Sequence, residues 1–143
     1  MMKRTFAVLF AVGGVAYVMI ELLYRGYSHI SMFFAGGLSA ALIHLCCNVC
    51  RPFCRWCVWV KCAIGSAIIT VIELCTGLIV NVGLGLDVWD YSALPFNFKG
   101  QICLRLSVCW FFLTIPALWI CKFVCAKLEH ARPLFGRRHG ERA

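Results

Sequence analysis

The sequence contains few charged residues, and the acidic ones are the rarest of them. Only 14% of its 143 residues are charged and only six are Asp or Glu, whereas 62% are hydrophobic. A soluble domain normally has about 25% charged and about 45–50% apolar residues. The composition therefore excludes an ordinary soluble enzyme and predicts an integral membrane protein.

Phosphate-binding and processing motifs are also missing. The chain has neither a GxxxxGK[ST] loop nor a GxGxxG loop, so we do not expect it to hydrolyse nucleotide itself. No small-residue cleavage site follows the first apolar run, which we therefore interpret as an uncleaved first crossing and not as a signal peptide. The formal charge of +8 does not predict a nucleic-acid partner, because the positive residues cluster at particular loops and in the C-terminal tail.

Long apolar runs fill most of the chain. A crossing helix needs roughly 20 mostly apolar residues, and four such runs cover about residues 5–24, 30–47, 58 or 62 to 82, and 102–123. Pro116 is expected to kink the fourth. We predict an all-α integral membrane protein with four transmembrane helices in two similar hairpins. The expected divisions are a first hairpin over 1–50, a basic, Cys-rich connection over 51–61, a second hairpin over 62–125 and a basic tail over 126–143.

The positive residues alternate between the ends of the crossings. The positive-inside rule places the loops that carry them in the cytoplasm, so both termini and the middle connection are expected inside. The two sparser loops, which contain Arg25 and Asp90, are then expected to face outward, with Tyr24, Tyr27, Trp89 and Tyr91 in an aromatic belt. The residues that set this orientation are Lys3, Arg4, Arg51, Arg55, Lys61, Lys122, Lys127, Arg132, Arg137, Arg138 and Arg142.

The two hairpins also share a short internal similarity. At one constant offset Gly13 aligns with Gly65, and Ile20-Glu21-Leu22 aligns with Ile72-Glu73-Leu74. Because both hairpins would enter the membrane from the same side, this predicts a parallel repeat whose axis lies along the membrane normal.

Several unusual residues occur in a characteristic order in both halves. On these residues the chain resembles the type IV ABC-transporter family, often called CmpB-like. The resemblance covers both hairpins and implies a bacterial membrane protein with up to four crossings that is assigned to transport. The first half contributes Glu21, Arg25, Gly26, Tyr27, Ser28, His29, Ser31, Met32, Gly36 and Gly37, and the second Glu73, Gly77, Trp89, Asp90, Tyr91, Ser92, Pro95, Asn97, Gly100 and Ile102.

Two glutamates within the apolar runs are the first candidates for a binding site. A lipid-facing carboxylate at the expected depth of Glu73 would be costly, so it should face the bundle interior and bind a cation, a proton or an amine. The structural alternative is a buried hydrogen bond to the other hairpin. Glu21 lies nearer the boundary, where it can also pair with Arg25 one helical turn later.

The outward loops supply the remaining candidates. Arg25 could bind a carboxylate or phosphate and His29 could transfer a proton, unless Ser28 or Ser31 merely caps the next helix. Ser28 and Asp90 are also candidates for binding a substrate or an ion, although Asp90 and Ser92 equally fit an Asx-type turn. Further site candidates are Asn97, as a substrate hydrogen bond or an ordering residue, and Arg105, which needs an acidic partner in Glu73, Asp87 or Asp90. Residues expected to order the loop are Trp89, Tyr91, Ser92, Pro95 and Gly100.

The cysteines suggest a metal site that other features disfavour. Cys47, Cys50, Cys54 and Cys57 have spacings similar to those of iron–sulfur ligands, yet no domain is available to surround a cluster. Zinc ribbons need a longer spacer, and cytoplasmic thiols are kept reduced. We predict no metal and no cofactor, with acylation of juxtamembrane cysteines as an alternative.

Three functions are compatible with these patterns. We favour a transport component in the bacterial cytoplasmic membrane that handles a small polar or cationic solute. Four crossings are few for a whole pathway, so we expect a homodimer or an ATP-binding partner subunit. The alternatives are a membrane-embedded enzyme acting on a lipid or headgroup, and a non-catalytic assembly subunit.

Overall fold

The computed structural model describes residues 2–49 and 55–130. Four long helices dominate these residues, and we label them α1 to α4. They are α1 (Met2–Arg25), α2 (Ile30–His44), α3 (Val58–Gly77) and α4 (Leu104–His130). The expected cysteines Cys50 and Cys54, and the tail beyond residue 130, lie outside the described residues.

Each long helix, with its continuation, is long and apolar enough to cross a bilayer. The candidate spans are Lys3–Arg25, Ile30–Val49, Val58–Gly83 and Leu104–Leu128, each at least as long as the roughly 20 residues that a crossing needs. The prediction of four membrane-spanning helices is therefore confirmed. The hairpin repeat and the side on which the termini lie stay predictions.

Small residues allow close contact within each consecutive pair of helices. A side chain at Gly13 of α1 would collide with Ala40 and with the Gly36 backbone of α2, and one at Gly65 of α3 would collide with Thr114 of α4. Lipid tails are apolar, so the hydrophobic effect does not drive helices together within the bilayer. Close backbone approach is therefore a main source of their packing energy. Gly13 and Gly65, which the predicted repeat aligns, thus have similar packing roles.

Regular α-helix gives way to other geometry at two helix ends. A π-helical segment, Leu45–Val49, continues α2, and another, Leu78–Gly83, continues α3. The loop that follows contains two short antiparallel strands, β1 (Asn97–Phe98) and β2 (Ile102–Cys103), which the all-α prediction did not include. Pro116 lies inside α4, which continues through it to His130.

The contact between α1 and α2 leads to a stability prediction. A methyl group at Gly36 would collide with Tyr17 and with the Gly13 carbonyl oxygen of α1, so Gly36→Ala should destabilise the protein by about 1–3 kcal/mol, the usual cost of overpacking. Thermal unfolding of the detergent-purified protein should show a lower Tm. The matched control is Gly83→Ala, whose new methyl would lie 3.4 Å from the Leu78 carbonyl oxygen; equal Tm values for both variants would contradict the packing argument.

Candidate functional site

Glu73 lies at the centre of the bundle, where side chains from two other helices bind its carboxylate. The residue is only 2% exposed. Its Oε1 accepts a hydrogen bond from the Tyr17 hydroxyl of α1, and its Oε2 accepts one from Trp110 Nε1 of α4 at 2.8 Å. The Tyr17 and Trp110 rings stack on each other with centroids 5.2 Å apart. The carboxylate thus faces the interior and bonds the other hairpin through Tyr17, as the structural alternative required.

The size of the burial penalty explains why two donors are needed. A charged residue at the centre of a membrane helix costs about 2.5–3.5 kcal/mol on insertion scales. A hydrogen bond to a charged group contributes about 1.5–3 kcal/mol. Tyr17 and Trp110 together can therefore offset the penalty, whereas either one alone would barely do so.

Glu21 and Arg25 form an ion pair at one end of the bundle. Arg25 donates to Glu21 Oε1 within α1, and the hydroxyl of Ser28 donates to Glu21 Oε2 at 2.8 Å. Arg25 Nη1 also donates to the Val88 carbonyl oxygen at 2.9 Å, which links the α1–α2 turn to the loop after α3. The two segments singled out in the sequence are therefore in contact. The guanidinium also lies 4.8 Å from the centroid of the Tyr27 ring.

A cavity of about 210 Å³ adjoins this ion pair between α1 and α4. Glu21 and Arg25 line its polar side, and Tyr17 and Trp110, which bind Glu73, line its inner wall. The two glutamates are therefore neighbours of one cavity, although only Glu21 lines it. Its lining residues are Tyr17, Ile20, Glu21, Tyr24, Arg25, Tyr91, Leu106, Cys109, Trp110 and Leu113.

The loop candidates mostly bond one another. Asp90 accepts the Ser92 backbone N–H and the Ser92 hydroxyl, both at 2.8 Å, which is an Asx-type turn. The Asn97 side-chain amide donates to the Ser92 and Leu94 carbonyl oxygens and accepts the Gly100 N–H. Gly100 has a positive φ of 67°, and a side chain there would collide with Asp90. These residues lie apart from the Glu21–Arg25 pair and order the loop.

A buried polar cluster that the sequence reasoning did not identify fastens this loop to α3. Asn81 Nδ2 donates to the Trp89 carbonyl oxygen and to Gln101 Oε1, and Asn81 Oδ1 accepts the Val88 N–H at 2.7 Å. Trp89 Nε1 donates to the Gln101 carbonyl oxygen. Trp89 is 4% exposed, so its expected place in an interfacial belt is wrong. An Asn in an apolar run was the available signal.

Two other expectations about polar residues are also wrong. The N-cap of α2 is His29, whose Nδ1 accepts the Ser31 N–H at 3.2 Å, and not Ser28 or Ser31. His29 lies on the turn beside Ser31 and not among the residues that line the cavity. Arg105 is exposed, and within the described ranges it forms no ion pair with Glu73, Asp87 or Asp90.

Tyr17 and Trp110 are the partners that residue patterns did not reveal. Each is an aromatic residue in an apolar run, where large rings are common and carry no obvious signal. The physical clue was indirect, because a buried carboxylate requires donors and Tyr and Trp are apolar residues that have one.

The described cysteines are free thiols. Among residues 2–49 and 55–130, no three His, Cys, Asp or Glu side chains are grouped so that they could hold a metal ion. Cys50 and Cys54 of the proposed cysteine run lie outside those ranges.

Four apolar helices around a buried carboxylate, with a polar loop at one end, define a multi-pass helical membrane protein. The chain belongs to the family described as "Putative ABC-transporter type IV", whose model matches residues 1–135. The family recognised from the sequence is thereby confirmed. No curated protein and no solved structure matches the chain.

The Asx-type turn leads to a pH prediction. Hydrogen bonds from the Ser92 backbone N–H and then the Ser92 hydroxyl lower the pKa of the Asp90 carboxyl below its ordinary value. A lowered folded-state pKa means that the turn is fully stabilised above the unfolded-state pKa and loses that stabilisation as pH falls through the folded-state pKa. NMR titration of the Ser92 amide should give a lower midpoint in the protein than in a peptide of residues 87–93. An equal or higher midpoint would refute the assignment.

Proposed function

We propose that this chain is the membrane-spanning component of a transporter, with a polar solute site where its two hairpins meet. The observation that carries the proposal is the Glu73 carboxylate, which is held by Tyr17 of one hairpin and Trp110 of the other, directly behind a cavity. Ionisable groups within membrane helices commonly mark substrate or ion pathways. Membership in the family supports a transport role.

The charges around the cavity favour a polar or cationic solute. Arg25 is already paired with Glu21, while Glu73 has hydrogen-bond donors but no cationic partner among the described residues. A solute cation would act as the counter-ion that the Glu73 carboxylate lacks among the described residues. Its entry would also compete with the stacked rings of Tyr17 and Trp110, which couples solute binding to the contact between the hairpins.

Other components are needed for a complete cycle. The sequence contains no phosphate-binding loop, so an ATP-binding subunit would supply any nucleotide-driven step. Four helices enclose little space, and a homodimer would complete a wider pathway. The enzyme and assembly-subunit alternatives stay predictions without a specific observation in their favour.

The solute site is tested by equilibrium binding of radiolabelled ethanolamine, choline and putrescine to the protein in nanodiscs. Glu73→Gln and Glu21→Gln should each weaken binding of the best ligand about tenfold or more, which corresponds to about 1.4 kcal/mol. The matched control is Asp87→Asn in the exposed loop, which should leave binding unchanged. Saturable binding that is equally tight in Glu73→Gln, or no saturable binding by a folded protein, would overturn the site.

The orientation is a second part of the proposal. The distribution of Lys and Arg supports cytoplasmic termini and an external cavity end. Green fluorescent protein fused after Ala143 should fluoresce in bacterial cells, and alkaline phosphatase fused after Leu94 should be active. Phosphatase activity at the C-terminus, with none at Leu94, would reverse the orientation and make the cavity cytoplasmic.

A further inference from the structure

The short hairpin before α4, formed by β1 and β2, exposes large apolar side chains instead of packing them against the protein. Phe96 is 82% exposed and Phe98 is 53% exposed. Contact of such rings with water is unfavourable in proportion to the apolar area that stays exposed. Single exposed apolar residues are common on protein surfaces, but the backbone conformation at Phe96 is not.

Phe96 has a backbone conformation that bulky residues rarely adopt. Its φ is +54°, in the left-handed region where Gly and Asn are favoured and a large side chain is strained. Neighbouring groups hold it there, because its carbonyl oxygen accepts the Leu104 N–H at 3.2 Å and the adjacent Asn97 side chain bonds the Ser92 and Leu94 carbonyl oxygens. A residue that served only the turn would be Gly or Asn. A strained and exposed Phe therefore indicates that its ring contacts something outside the chain.

The hairpin lies close to the level of the membrane surface. The hydrogen bond between Phe96 and Leu104 ties it to the residue at which the candidate span Leu104–Leu128 begins. That span has 25 residues, whereas roughly 20 cross the hydrocarbon core, so its ends reach the headgroup layer. This layer is about 5–7.5 Å thick on each side, since a bilayer of about 40–45 Å has a core of about 30 Å. The Phe96 ring is therefore within reach of lipid headgroups.

Lys99 of the same hairpin suits the phosphate of a lipid headgroup. It is exposed, and within residues 2–49 and 55–130 it forms no ion pair. Exposed apolar rings beside a lysine are the combination by which interfacial segments bind a membrane surface. A partner protein would have to supply an acidic group at this place, whereas a bilayer presents phosphates at this depth. The charge of the hairpin thus favours lipid as the group that covers the rings.

We propose that the β1–β2 hairpin is a membrane-interface anchor. The rings of Phe96 and Phe98 insert into the headgroup layer, and the Lys99 ammonium group binds a lipid phosphate. The hairpin takes the interfacial place that the sequence suggested for Trp89, which is buried. The partner is the phospholipid surface itself, so the proposal depends neither on the transported solute nor on the side of the membrane.

Photo-crosslinking from position 96 identifies what the ring contacts. The full chain with Phe96→p-benzoylphenylalanine is irradiated in bacterial membranes and in phospholipid nanodiscs, and adducts are identified by mass spectrometry. The reference is the same replacement of Ile79, a 62% exposed residue within the span Val58–Gly83. Phospholipid adducts at position 96 should form with a yield within about tenfold of the reference, the ratio that about 1.4 kcal/mol gives. A lower yield from a monodisperse protein, or adducts mainly with another protein, would overturn the anchor.

The lipid captured at position 96 also tests the role of Lys99. In nanodiscs with equal amounts of phosphatidylglycerol and phosphatidylcholine, adducts should be enriched in the anionic lipid about threefold or more. Lys99→Gln should remove this enrichment. The matched control is Lys127→Gln, which removes the same charge near the other end of α4 and should retain the enrichment. No enrichment with Lys99 present, enrichment that survives Lys99→Gln, or equal loss in both variants would contradict the phosphate contact.

Discussion

Burial of a carboxylate in an apolar bundle is the constraint on which the arrangement of the helices depends. Glu73 cannot face lipid without a large penalty, and the two donors that bind its carboxylate come from other helices. Tyr17 from α1 and Trp110 from α4 supply the two hydrogen bonds. The pairing fixes the rotation of three helices at once, since each must turn one chosen side chain toward the same point. Close contacts at Gly13 and Gly65 then hold each helix against its neighbour.

The loop after α3 is also ordered by buried polar groups that need hydrogen-bond partners. The π-helical end of α3 brings Asn81 to the loop, where its amide bonds Val88, Trp89 and Gln101. A buried polar group without a partner costs about 1–3 kcal/mol, so these groups favour one loop conformation. Arg25 joins the loop to the α1–α2 turn through the Val88 carbonyl oxygen. The polar end of the bundle is therefore built from both hairpins.

The two glutamates that the predicted repeat aligns have different surroundings. Glu21 is neutralised by Arg25 within its own helix, whereas Glu73 is held by uncharged donors from elsewhere. The cavity is therefore lined by one balanced charge pair, and behind it lies one carboxylate without a counter-ion among the described residues. A transporter needs a site that attracts its solute without holding it permanently. In the proposed role, the charge of the solute and the contact between the hairpins would meet at the Tyr17 and Trp110 rings.

Apolar run lengths determined the four membrane helices, because the bilayer sets the length of a helix that must bond its own backbone. The order of unusual residues around Glu21 and Glu73 determined the family, and short-range chemistry determined the Asp90–Ser92 turn. Only the tertiary structure decided which groups meet Glu73, because Tyr17 and Trp110 lie 56 and 37 residues away along the chain. It likewise buried Trp89 with Asn81 and left Arg105 exposed. Such pairings depend on helix rotation and close approach, which a pattern of apolar residues in lipid leaves almost unrestricted.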